Sequence, residues 1–137
     1  MITIDGARYI LGLFSNLEQP LPVLWVALSG GTLGPTATGV DIVEPLPEEY
    51  ERVRVDSLSG SWHLTGTTLS NALTVAFPKA VEAWGLIRGI ALCTEAEGGK
   101  ILFEDELPEP VYVDAGSQVS LTPGAIVFDF DVDRWSL

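Results

Sequence analysis

The sequence predicts a mainly β domain: a β-sandwich or jelly-roll-like fold of about eight short strands preceded by one α-helix. Three observations predict it. Its 14 glycines and 9 prolines are scattered between short apolar runs, a distribution that suits strands joined by turns. Turn signals recur at intervals of roughly 8–12 residues, the spacing of sandwiches and small barrels. With 137 residues, 47% of them hydrophobic, the chain is long enough to bury roughly two-thirds of its unfolded surface around one core. No internal repeat or shift in composition divides it, so residues 1–137 are read as a single domain.

The first element is the helix. Ala7, Ile10, Leu11, Phe14 and Leu17 recur at spacings of three and four, laying one apolar stripe along about three turns. It is expected over about 5–17, capped by Thr3 or Asp5 and stopped by Asn16 to Pro20. A helix this short gains stability by docking on something apolar, either its own domain or a neighbouring subunit. Ile10 and Phe14 are therefore interface candidates. Pro22 to Leu28, closed by Ser29-Gly30-Gly31, reads as a strand buried on both faces. From Thr32 to Pro47 the chain is rich in Gly, Pro and Thr and reads as a long excursion loop, the kind that serves as a contact surface or moves.

Tyr50-Glu51-Arg52-Val53-Arg54-Val55 alternates as a half-exposed strand should, and Ser61-Trp62-His63-Leu64 reads as a short strand or turn edge. Asn71 to Phe77 places Leu73, Val75 and Phe77 on one face, and Pro78 ends it. A turn through Lys79 to Trp84 leads into a strong central strand from Leu86 to Thr94. The turn Glu95-Ala96-Glu97-Gly98-Gly99 then predicts a hairpin into Lys100 to Glu104. Pro108 and Pro110 break the next stretch. Val111 to Val113, Gln118 to Leu121 and Ala125 to Val132 complete the set.

Charge excludes some function classes. Nineteen acidic residues face seven basic ones, a formal net charge of -12. Such a surface repels phosphate backbones and anionic lipid, so neither nucleic acid nor membrane is an expected partner. The longest apolar run, Val23 to Leu28, is too short to cross a bilayer. Met1 to Asp5 lacks the basic start of a secretion signal, so synthesis in a cytoplasm is expected.

Chemistry is sparse. Cys93 is the single cysteine and lies in an apolar run, the setting of an inert buried thiol. His63 is the single histidine; a triad with it would have to assemble in space. No nucleophile elbow, phosphate loop, metal-ligand spacing or cofactor motif occurs. Asp129, Asp131 and Asp133 share one face of the last predicted strand and are the weak metal candidates. Side chains two apart on a strand lie about 6–7 Å from each other, too wide for one ion, so a solvated face is expected; the runs Glu48-Glu49-Tyr50-Glu51 and Glu104-Asp105-Glu106 are likewise read as solvated turn edges. Trp25, Trp62, Trp84 and Trp135 are spread one per segment and read as packing anchors rather than a sugar platform, with Trp62 and Trp135 as further interface candidates.

A resemblance joins these pieces. Ser70 to Ala80 with its Asn71…Phe77-Pro78, then Trp84-Gly85 and the apolar strand to Ala91-Leu92, resembles a family of short tailed-phage virion proteins of the tail fibre or minor tail type. The likeness continues through Gly98 to Phe103, Val113 to Gly116 and Thr122 to Ile126. Pro22 to Leu28 and Tyr50 to Val53 fall in the expected order. The resemblance implies a non-enzymatic β-sandwich subunit of a virion, tail-associated, with other virion proteins as partners and a homo-oligomer as the default. It implies no catalytic residues. The 32–47 loop does not align with the pattern, and its partner stays open. The alternatives are a decoration or cement protein on the phage head, a host-surface carbohydrate-binding module, and a small hydrolase using His63.

Overall fold

The computed structural model describes residues 2–56 and 60–129. Thr3 opens the first element: its side-chain oxygen accepts the Gly6 N–H at 2.9 Å, satisfying one of the donors that a helix start leaves unpaired. Helix α1 runs Ile4–Phe14, shorter than the stripe predicts, because Ser15 caps it and Asn16 turns left-handed with φ 61°. Leu17 therefore lies beyond the helix.

The helix rests on a strand through glycine rather than through its apolar stripe. Thr3 donates its N–H to the Leu102 carbonyl at 3.1 Å, Ile2 bridges Phe103, and the Thr3 hydroxyl also bonds the Ile101 carbonyl. Gly6 is buried there, and a methyl at its Cα would collide with the Leu102 carbonyl. Gly6→Ala is expected to cost about 2–3 kcal/mol as an overpacking change, despite alanine's better helix propensity. Thermal unfolding checks this, and an unchanged melting temperature would refute the close contact.

Among the described residues nine strands follow: β1 Val23–Ser29, β2 Val53–Asp56, β3 Trp62–Thr65, β4 Thr68–Asn71, β5 Val75–Ala76, β6 Gly85–Cys93, β7 Ile101–Val113, β8 Ser120–Leu121 and β9 Val127–Asp129. They form a four-stranded sheet in the order β2-β1-β6-β7, a three-stranded sheet β3-β4-β9 and a pair β5-β8. Every pairing is antiparallel. The sheets do not close into a barrel.

Alternation along β1 divides the four-stranded sheet into two faces. Leu24, Val26 and Leu28 join Val55, Ile90, Leu92 and Leu102 in the main core, together with Val75, Phe77, Trp84, Ile126 and Phe128 from the smaller sheets and their loops. On the reverse face Ala27, Ala91, Cys93 and Ile101 form a second cluster with Ile42, against which Trp25, Leu33 and Ala37 pack. Buried on both faces, β1 matches its sequence pattern.

The cover of the reverse face comes from the 32–47 loop. It makes a 3-10 turn at Gly39–Asp41 and is tied down at several points. Gly30 donates to the Val43 carbonyl at 2.8 Å, and Gly39 donates to the Gly99 carbonyl at 2.8 Å. Much of this loop is thus a lid on the sheet, although Val40, Val43 and Leu46 remain exposed.

Three expectations change. Asn71 to Phe77 is not one strand: β4 ends at Asn71 and β5 holds only Val75–Ala76. Leu73 accordingly turns outward, 60% exposed, while Phe77 is 1% exposed. Pro108 and Pro110 do not end a strand, since β7 continues through them. It is an edge strand, where a missing N–H costs little, and a bulge opens between the Gly89–Glu106 and Ile87–Val111 pairs. The run Glu104-Asp105-Glu106 is not a turn edge either. It lies within β7 with Glu104 buried, and burial raises that carboxyl's pKa. The predicted hairpin between Thr94 and Lys100 holds, with Gly98 and Gly99 both at positive φ.

Candidate functional site

Two polar constellations and one apolar surface are candidates. The first polar one surrounds Arg52, which begins the segment entering β2 and is 5% exposed. Its Nε donates to Glu44 Oε1 at 2.9 Å and one Nη to Glu44 Oε2 at 3.1 Å. The remaining donors reach the carbonyls of Gly39 at 3.1 Å, Glu95 at 2.8 Å and Gly98 at 2.9 Å. All five guanidinium N–H groups are used. The Tyr50 hydroxyl adds a bond to Glu44 Oε1 at 2.8 Å while accepting the Leu28 N–H at 3.0 Å. Burial raises the Tyr50 pKa. This is a structural tie holding the 32–47 lid and the 94–100 turn to the sheet, with no open position for a substrate.

The second is Glu49. Its Oε1 accepts from the N–H groups of Val81 at 2.7 Å and Glu82 at 3.2 Å and from Trp84 Nε1 at 3.1 Å. Partial burial pushes the carboxyl's pKa upward, but these hydrogen bonds outweigh it and hold the group below its ordinary value. The folded pKa lies beneath the unfolded one, so the stability Glu49 contributes is complete above the ordinary glutamate range and is lost as pH falls through the depressed value. Wild type should therefore exceed Glu49→Gln in stability at pH 6, with the gap closing as the pH drops below about 4. A gap independent of pH in parallel urea titrations would sink this reading.

The described residues that could carry catalysis stand apart. His63 stands exposed on β3, in the three-stranded sheet. Cys93 lies in the other sheet, fully buried, and burial pushes its thiol up to about 11. The two are not brought together. Asp129 ends β9, while Asp131, Asp133 and Trp135 lie outside the described residues. Among the described residues no group of three His, Cys, Asp or Glu side chains is placed to hold a metal, and no helix is long and apolar enough to cross a membrane.

The described tryptophans do not share a platform. Trp84 is 7% exposed, edge-on to Tyr50 with ring centroids 5.3 Å apart, and Tyr50 stacks on Phe77 at 6.1 Å. Trp62 is half-buried, its ring 6.2 Å from that of Phe128. Trp25 packs on the second cluster. Tyr50, Phe77 and Trp84, remote in sequence, thus make one aromatic group at the core.

What remains is an apolar surface. On α1, Ile4 is 43%, Leu11 67% and Phe14 89% exposed, and Leu17 just beyond is 84% exposed. Spacings of seven and three put Ile4, Leu11 and Phe14 on one side of the helix. Between α1 and the β3-β4 hairpin lies a groove of about 450 Å³ lined by Ile10, Leu64, Gly66, Thr67, Leu69, Phe103 and Phe128. No charged side chain lines it. Isolated exposed apolar residues are ordinary; a larger apolar patch is a candidate interaction surface.

Residues 10–129 match the family model described as podophage GP4 fiber I protein gp80. The chain belongs to that family. It is a podophage fibre protein, a structural, tail-associated component of the virion rather than an enzyme. No curated protein matches it. The match begins at Ile10, inside α1, and ends at Asp129, with β9. Among the described residues it therefore takes in every strand and the back half of the helix. Association with other virion proteins follows from membership. The head-decoration reading gives way to the tail. Sequence reasoning missed Arg52 and Glu44, whose pairing across a loop leaves no periodic signal, and it missed the groove, which needs four separated segments to form.

Proposed function

We propose that the chain is a fibre subunit that assembles through repeated protein–protein contacts, with copies of itself among its partners, and that α1 is the contact element. The observation that carries this reading is the outward display of Leu11 and Phe14 on a helix that already rests on its own domain through Gly6. The helix does not spend these side chains on its own core. They are available to another subunit. Strong negative charge keeps the free chain soluble until a binding site is offered.

The test is incorporation. Phage carrying the double substitution Leu11→Asp and Phe14→Asp should yield particles depleted of this protein by an order of magnitude or more. The purified variant should melt within a few degrees of wild type, because both side chains are exposed. Full incorporation into particles would overturn the assignment of α1.

A further inference from the structure

We propose that the groove between α1 and the β3-β4 hairpin is the seat for Phe14 of a second copy of this chain. The proposal rests on the assembly reading above and names its partner. Phe14, 89% exposed, is a projecting ring one helical turn from Ile10, and Ile10 lines the groove. Projection and recess lie on one face, so a single contact between two copies can be used in both directions.

Electrostatics permits the same face. Two chains of net charge -12 repel wherever their acids meet, so a self-contact must form where acids are missing. The groove lining carries none. The α1 positions Ile4, Ala7, Ile10, Leu11 and Phe14 are likewise all apolar; the acid Asp5 lies on another side of the helix, and the charge that borders the face, Arg8 beside Ile4 and Leu11, is positive. The cleft around Leu46 and Val81 is larger but carries Glu48, Glu49 and Glu82, which disfavours a second copy there.

Area agrees. Ile4, Leu11, Phe14, Leu17 and Leu64 are 43%, 67%, 89%, 84% and 69% exposed. Together they leave roughly 500–700 Å² of apolar surface in water, against the about 800 Å² that each partner gives to a standard interface. The half-buried Ile10, Leu69 and Phe103 of the groove floor supply part of the remainder.

Light scattering on the purified full chain tests the seat. Wild type should give a mass above that of the monomer at micromolar concentration. Phe14→Asp removes the projecting ring and Leu64→Asp charges the wall of the groove, and each should lower the mass to that of a monomer. Circular dichroism should be unchanged, as both residues are exposed, and each variant should melt as wild type does when diluted to the monomer. Mixing the two variants should restore association in part, since one keeps an intact groove and the other an intact ring. A wild type that keeps its oligomeric mass with either substitution overturns the seat and leaves a different self-contact in place. A monomeric wild type, with Phe14→Asp still excluded from particles, also overturns it. The face would then serve another virion protein, and α1 would keep its role in assembly. A monomeric wild type with normal incorporation of Phe14→Asp would refute both readings.

Discussion

Arg52→Met should destabilise the fold by about 3–5 kcal/mol, the range for breaking a buried ion pair by removing one partner. The reason lies in what is left behind. Glu44 loses two charge-assisted bonds, and the carbonyls of Gly39, Glu95 and Gly98 lose their shared donor. Methionine matches the length of the aliphatic stem, so packing is roughly kept and the loss is polar. With a urea dependence of about 1–3 kcal/mol per molar, the midpoint should fall by roughly 2 M. Because these carbonyls belong to the lid and to the β6-β7 turn, the reverse face should open first. Hydrogen exchange at Gly39 and Lys100 should accelerate before the amides of β1 do.

Arg54 is the matched control. It sits two residues away on β2, is 62% exposed and reaches Asp56 at only 3.5 Å. An exposed pair of this kind contributes at most about 1 kcal/mol, so Arg54→Met should shift the midpoint only slightly. Equal effects at the two positions would show that removing either positive charge from an acidic chain matters, and not the tie made by Arg52.

The contrast also shows what sequence can carry. Short strands with apolar residues at every second position announce themselves, which is why β1, β6 and the hairpin after Cys93 are legible, and why the helix is legible from its spacing of three and four. Period alone does not say which face of an element is covered. In α1 Leu11 and Phe14 point outward, because glycine gives a closer approach to β7 than any larger side chain, and a pattern of apolar residues cannot show that Gly6 is the buried one. Arg52 fits an alternating polar position as well as Arg54 does. Only the chain's return through Glu44 and the 95–98 turn makes one buried and the other free. The Asn71 to Phe77 stretch misleads for a related reason: a strand-like alternation is broken by a side chain that bonds backbone groups.

That side chain is Asn71, and its replacement is the second large effect. Asn71 is 2% exposed. Its Oδ1 accepts the Ile126 N–H at 2.9 Å. Its Nδ2 donates to the carbonyls of Leu73 at 2.8 Å, Thr122 at 3.0 Å and Leu121 at 3.3 Å. The side chain thus stands in for a length of strand, joining β4 to the 121–126 loop where no regular ladder runs. Asn71→Ala strands the Ile126 N–H and the facing carbonyls; at about 1–3 kcal/mol per unsatisfied buried group, a loss of about 3–4 kcal/mol is expected. Asn71→Asp keeps the shape and separates hydrogen bonding from size. Its carboxylate would still accept from Ile126 while its second oxygen faces three carbonyl oxygens, so burial and those carbonyls raise its folded pKa. The penalty should be full near pH 7 and shrink as the pH falls and the group becomes a donor. Urea titrations of both variants at pH 7 and pH 4 would check this, and parallel behaviour at the two pH values would refute the role of the three carbonyls. Ile126 leads into Phe128, which lines the groove beside α1. Loosening this junction should therefore weaken self-association before the whole domain unfolds, tying a buried amide in the core to the surface on which the fibre is built.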